Sequence, residues 1–127
     1  MADLGTVVLS EEVYGSVKKI GFAWLSVDGG GDAGKARKTT VNAYNGVIER
    51  LVTVPGVAPD APTDDYDVAI LDEDGTDVLM GAGANRDTAN TEQVLASSLG
   101  CVANDTLTLS VSTAGNAKRG TVYLYLR

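Results

Sequence analysis

Residues 66 to 92 read YDVAILDEDGTDVLMGAGANRDTANTE. Tyr66, Val68 and Ile70 fall on one face of an extended chain and Asp67 and Ala69 on the other, the period-2 pattern of a half-buried strand. An acidic turn follows, Asp72-Glu73-Asp74-Gly75, and then a second short apolar run, Val78 to Met80. Strand, turn and strand predict a hairpin with arms at 66–71 and 76–80. Gly81 to Asn90 is polar and punctuated by glycine, the composition of an irregular but well-defined loop. The block as a whole predicts an all-β domain.

The flanking sequence agrees. Gly5 to Ser10 reads as a strand, and Val17 to Val27 as a second. The second carries Ile20, Phe22 and Trp24 on one face and Gly21, Ala23 and Leu25 on the other; both faces are largely apolar, as in a central strand. Asp28 to Gly34 (DGGGDAG) predicts a flexible loop, and Pro55, Pro59 and Pro62 punctuate another. Thr106 to Ser112 alternates cleanly. Ala114 to Gly120 turns, and Thr121 to Leu126 closes the chain with Val122, Leu124 and Leu126 on one face and Tyr123 and Tyr125 on the other. A strand apolar on both faces predicts cover on its outer side, from a loop or a neighbouring subunit. Residues 38–54 admit two readings. Asn45-Gly46 suits a two-residue hairpin turn, because both residues tolerate positive φ; Val41, Tyr44, Ile48 and Leu51 recur at helical spacing. Thr39, Thr40, Val41 and Gly46 weaken a helix, so the hairpin is favoured. Thr91 to Ser98 has room for a helical turn with Asn90 as its N-cap. The sum is a single domain over residues 1–127: an antiparallel β-sandwich or jelly roll of seven or eight strands with little helix.

Composition narrows the function. The chain is 44% hydrophobic and 21% charged, which argues against disorder. Its net charge of −7 opposes binding to nucleic-acid phosphates or anionic lipid, so neither nucleic acid nor membrane is an expected partner. Eight acids fall between Asp60 and Asp77 with no Lys or Arg among them, while bases gather at Lys35, Arg37 and Lys38. The favoured reading of the acids is a solvated surface; the sharper one is a pair of complementary docking patches. Cys101 is the single cysteine, so there is no intrachain disulfide, and its apolar flanks predict a buried small hydrophobe. The chain contains no histidine, which removes Cys-His and Ser-His-Asp catalysis within it. MADLGTVVLS lacks the basic and apolar regions of a signal peptide, and no apolar run approaches a membrane span. Synthesis and folding in a cytoplasm, without secretion, are expected.

No motif completes a catalytic, metal or cofactor site, so neither enzymatic activity nor a bound cofactor is expected. Gly29 to Ala36 (GGGDAGKA) approaches a phosphate-binding loop, but Ala36 stands where a hydroxyl must hold magnesium, and no helix signal follows. Gly81-Ala82-Gly83 lacks the third glycine of a dinucleotide fingerprint. Asp72, Asp74 and Asp77 miss the spacing of a calcium loop. Asp64, Asp65 and Asp67 could pair with them for glycoside hydrolysis only at a separation that sequence does not fix. Arg86 is the only base between Arg50 and Lys118. With Asp87, Thr88, Asn90 and Glu92 close by, it reads equally as the centre of a local network or as an interface anchor.

Tyr44-Asn45-Gly46, Arg50 to Pro55 (RLVTVP), Tyr66-Asp67-Val68, Leu71 to Gly75 (LDEDG) and Gly81 to Asp87 (GAGANRD) together resemble short proteins from the structural-gene modules of tailed bacteriophages. Gly120 to Leu126 (GTVYLYL) matches in style, and the resemblance covers about two-thirds of the chain. It implies a small β-domain incorporated in a virion, with capsid decoration (cement) proteins as the nearest size and fold class. The implied partner is a major capsid protein or another virion protein, and the implied state a homo-oligomer, with a trimer favoured. The expected shell contacts are Lys35, Arg37, Lys38, Asn85, Arg86 and Asp87. A tail or neck component and a carbohydrate-binding β-sandwich module are the alternatives.

Overall fold

The computed structural model describes residues 5–29 and 32–127. Ten strands and one 3-10 turn (Ala96–Ser98) make up its regular structure. The strands are β1 (Thr6–Tyr14), β2 (Val17–Leu25), β3 (Val27–Gly29), β4 (Asp32–Thr39), β5 (Tyr44–Pro55), β6 (Asp67–Leu71), β7 (Glu92–Leu95), β8 (Cys101–Asp105), β9 (Thr108–Ser112) and β10 (Arg119–Leu126). They form two antiparallel sheets. The larger runs β1-β2-β10-β5-β7, with β8 also paired to β5; the smaller runs β3-β4-β9-β6.

The order of sheet visits gives the fold its winding. β2 lies in the larger sheet, β4 in the smaller, β5 in the larger and β6 in the smaller. The chain then returns to the larger sheet in β7 and β8, crosses to β9, and ends in β10 between β2 and β5. This is jelly-roll winding with β1 as an added edge strand. Beside β6, where an eighth strand would lie, the irregular segment 81–86 takes its place. Val68 N donates to Gly83 O at 2.8 Å and Arg86 N to Tyr66 O at 2.7 Å.

Alternation supplies the core. Ile20, Phe22 and Trp24 of β2 and Val122, Leu124 and Leu126 of β10 face inward and are buried. Val68 and Ile70 of β6 and Leu109 and Val111 of β9 oppose them from the smaller sheet. The Trp24 and Tyr66 rings meet at 5.6 Å with planes tilted by 50°, a favourable arrangement for aromatic quadrupoles.

Several local expectations are corrected. Asn45-Gly46 is not a turn; it lies inside β5, and β4 and β5 belong to different sheets. Gly46 has φ of 132°, and a Cβ there would sit 2.5 Å from the Arg127 carbonyl oxygen. The chain reverses earlier, at 40–43. There the Glu11 carboxylate, distant in sequence, accepts from Val41 N at 3.0 Å and Asn42 N at 3.1 Å. The helical reading fails for a different reason. Arg50 pairs with Tyr125 but Ile48 with Leu126, so Glu49 is an extra bulged residue. The bulge puts Ile48 and Leu51 on one face three positions apart, which imitates helical spacing.

The expected second arm at 76–80 is a single bridge, Leu71 to Asp77, followed by turns. The helical turn is reduced to Ala96–Ser98; Leu95, not Asn90, occupies its N-cap, without a side-chain bond. Cys101 is exposed, because it points outward on β8, a strand not foreseen, while Val102 points in. β1 runs four residues further than expected, to Tyr14. Of the glycine loop, Gly30 and Gly31 lie outside the described residues. Its flanks form the β3–β4 pair, so a strand stands where a phosphate-binding loop needs a helix.

Candidate interaction surfaces

The acids between Asp60 and Asp77 are largely not free surface charges. Asp64 accepts from Thr88 N at 3.2 Å and Asp67 from Asn85 N at 3.0 Å. Asp72 accepts from Asp74 N at 3.0 Å and Thr76 N at 2.9 Å. Glu73 reaches across to Thr106 N at 3.0 Å. Asp77 uses both oxygens: Oδ1 takes Ile70 N at 3.2 Å and Leu79 N at 3.0 Å, and Oδ2 takes Gly81 N at 3.0 Å. Most of these N–H groups lie in or against the irregular segment that follows β6, and Thr106 N lies in the connection between β8 and β9; outside a ladder, a carboxylate is the strong acceptor that satisfies them. Asp64, Asp65, Glu73 and Asp74 are exposed, as the solvated-surface reading expects; what the acidic run does in addition, for most of its members, is satisfy these backbone groups. Asp60 is an exception, an exposed pair with Arg119 at 3.9 Å, worth little.

Gly81 to Glu92 is thereby a pre-ordered surface loop. Gly83 presses against β6 so closely that a Cβ would lie 2.2 Å from the Val68 carbonyl oxygen. Asp87 accepts from Ala89 N at 2.7 Å and Asn90 N at 3.0 Å, and the Ala89 bond chiefly holds its carboxyl below the usual range. Glu92 takes Asp87 N at 2.9 Å. Arg86 is the brace within the loop: Nε donates to Ala84 O at 3.2 Å, and the guanidinium lies 3.7 Å from Glu92. Its side chain is only 14% exposed, so the geometry describes the local network. Ala84, Asn85, Ala89 and Asn90 are among its exposed residues, and Asn85 holds φ of 56°.

The predicted basic cluster divides. By strand alternation, Lys35 and Arg37 of β4 share one face of the smaller sheet and Lys38 takes the other. β9 and β6 separate all three from the loop of Asn85, Arg86 and Asp87, so the expected contacts form two patches. Asp72, Glu73 and Asp74 lie near Asp105, whose pKa is raised first by desolvation and then by their charges. Among the described residues no group of His, Cys, Asp or Glu is arranged to hold a metal.

A second surface was not in the sequence-derived set. Among the described residues, neither a loop nor any other element covers the outer face of the larger sheet. Tyr123 lies against Gly21, where a Cβ would be 3.3 Å from the ring. Lys19 Nζ sits 4.8 Å from the Tyr123 centroid and 5.8 Å from that of Tyr125; the Arg50 guanidinium is 5.0 Å from the Tyr125 centroid. The terminal strand's tyrosines are thus covered by cations of adjacent strands. Alternation within β10 marks the tyrosines, but only the register of β2, β10 and β5 brings Lys19 and Arg50 to them. Towards the other end of this face, Val8 is 72% exposed and borders a depression of about 310 Å³ that Ala23, Val54 and Thr121 also line.

No protein family, curated protein or solved structure matches this chain.

Proposed function

We propose that this chain is a non-enzymatic structural protein of a virion, a decoration protein that binds and stabilises the assembled capsid shell. The observation that carries the reading is the loop Gly81 to Glu92. It belongs to the sequence that resembles phage structural modules, and it is exposed, irregular and fixed at its backbone by carboxylates. A surface loop ordered before binding loses little entropy on docking. The jelly-roll winding is compatible with the role, since it recurs in viral capsid domains, although fold alone assigns no function. Lectin domains share that winding. The tyrosines of the outer sheet face, however, lie under Lys19 and Arg50 rather than open as sugar platforms, which favours the virion reading over a carbohydrate-binding module.

Binding to the assembled shell and not to its free subunits stabilises the shell by mass action. The partner is the major capsid protein, contacted through the exposed part of the loop around Asn85, with Lys35 and Arg37 as a separate patch. The test is co-sedimentation of the purified chain with assembled shells that lack it. Saturation at a fixed ratio to capsid subunits, weakened by Asn85→Arg, supports the reading. Absence of co-sedimentation at any ratio refutes it.

A further inference from the structure

The outer face of the larger sheet has an order of residues that a second copy of the same face complements. Register places Val8, Ala23, Thr121 and Val54 in one row across β1, β2, β10 and β5. Two rows further on, Glu12, Lys19, Tyr125 and Arg50 lie across the same four strands. The first row is aliphatic apart from one threonine. The second has an acid at the β1 edge and a base on β5, about 14 Å apart at three strand spacings. Glu12 and Arg50 are both exposed.

We propose that two copies of this chain pair through these faces about a two-fold axis that runs along the strands between β2 and β10. That operation lays β1 of one copy over β5 of the other, and β2 over β10. Glu12 then faces the partner's Arg50, and Arg50 the partner's Glu12, two equivalent ion pairs from one surface. In the same docking Val8 faces the partner's Val54, and Ala23 the partner's Thr121, so the row beside the 310 Å³ depression is covered by its own counterpart. An isologous contact requires this self-complementarity, and sheets stacked face to face allow it at about 10 Å. The opposite alignment, with the axis across the strands midway between the two rows, sets the aliphatic row against Glu12, Lys19 and Arg50; moved onto the charged row, that axis sets Glu12 against Glu12 and Arg50 against Arg50. The pairing leaves the Gly81–Glu92 loop outside the row contacts, and it does not depend on the virion reading.

The test is a charge-swap series followed by sedimentation equilibrium of the purified chain. The native chain is expected to reach a dimer at high concentration. Glu12→Lys alone and Arg50→Glu alone each place like charges opposite one another, and each is expected to weaken dimerisation at least about tenfold. The double variant Glu12→Lys/Arg50→Glu restores opposite charges at both contacts and is expected to recover most of that loss. Val41→Asp, on an exposed valine in the loop between β4 and β5, is expected to leave the dimer unchanged. All substituted side chains are exposed, and circular dichroism checks that each variant keeps its sheets. A native chain that stays monomeric at every accessible concentration overturns the proposal. So does a trimer, or a double variant no better than the single ones. Because the readout uses the isolated protein, its failure is separate from failure to bind shells.

Discussion

Removal of the Asp77 carboxylate tests whether the acidic run holds the fold together. In Asp77→Ala three backbone N–H groups lose their acceptor: Ile70 at 3.2 Å, Leu79 at 3.0 Å and Gly81 at 3.0 Å. The Ile70 and Leu79 bonds are part-buried and the Gly81 bond is exposed. A part-buried donor left without a partner costs about 1 to 1.5 kcal/mol, and an exposed one that water can reach only a few tenths. The sum is about 3 kcal/mol, or a fall in Tm of roughly 10 °C for a domain of this size. Asp77→Asn retains a carbonyl oxygen at the Oδ1 position and loses the charge, so about 1 kcal/mol is expected. The assay is urea unfolding followed by far-ultraviolet circular dichroism, with the midpoint and slope fitted for the native chain and both variants. A loss for Asp77→Ala within about 0.5 kcal/mol of zero, the range of ordinary surface substitutions, refutes the claim that these acids organise the loop and returns them to solvated charge.

Three further outcomes are expected. Gly83→Ala forces a methyl group to within 2.2 Å of a backbone oxygen of β6 and should cost about 2 kcal/mol or more; Gly81→Ala, at φ of 84° but in open space, should cost about 1 kcal/mol, and equal losses in thermal unfolding would contradict the close approach. Tyr66→Phe should be neutral or stabilising by up to about 1 kcal/mol. Burial raises the Tyr66 pKa to about 12, and among the described residues neither its hydroxyl nor that of nearby Thr53 has a hydrogen-bond partner; a clear loss of Tm would show that the hydroxyl is well bonded. Glu11 is pushed up by burial but pulled further down by its bonds from Tyr44, Val41 and Asn42, so its folded pKa lies below the ordinary 4.5. Its ionised form therefore adds stability above that value, which is lost as pH falls through the folded pKa. The Tm deficit of Glu11→Gln at pH 7 should close in acid below about 4.5, and a deficit independent of pH would argue against it.

The parts of the fold that sequence shows directly are those governed by one-strand alternation. Ile20, Phe22 and Trp24, and Val122, Leu124 and Leu126, read as inward faces and are inward. What alternation does not carry is which strand pairs with which. Asn45-Gly46 has the chemistry of a hairpin turn, but a tertiary contact from Glu11 sets the reversal earlier. Ile48 and Leu51 look helical because of the bulge at Glu49, visible only against the register of β10. β8 was hidden because Cys101-Val102-Ala103-Asn104-Asp105 contributes one buried residue. The loop is legible as irregular and Arg86 as its lone base, but sequence leaves Arg86 equally a network centre or an interface anchor; the approach of its guanidinium to Glu92 is visible only in the fold. The carboxylates that fix it read in sequence only as an acidic surface, because a charge run gives no sign of the N–H groups it will meet. The cation-covered tyrosine face needed residues 19, 50, 123 and 125 in register across three strands, which no local window contains.

The most direct test of the central claim is immunogold electron microscopy of purified virions with antibody raised against this chain. Even labelling over the head surface is the predicted result. Labelling confined to the neck or tail, or intact particles left unlabelled, would contradict the decoration role.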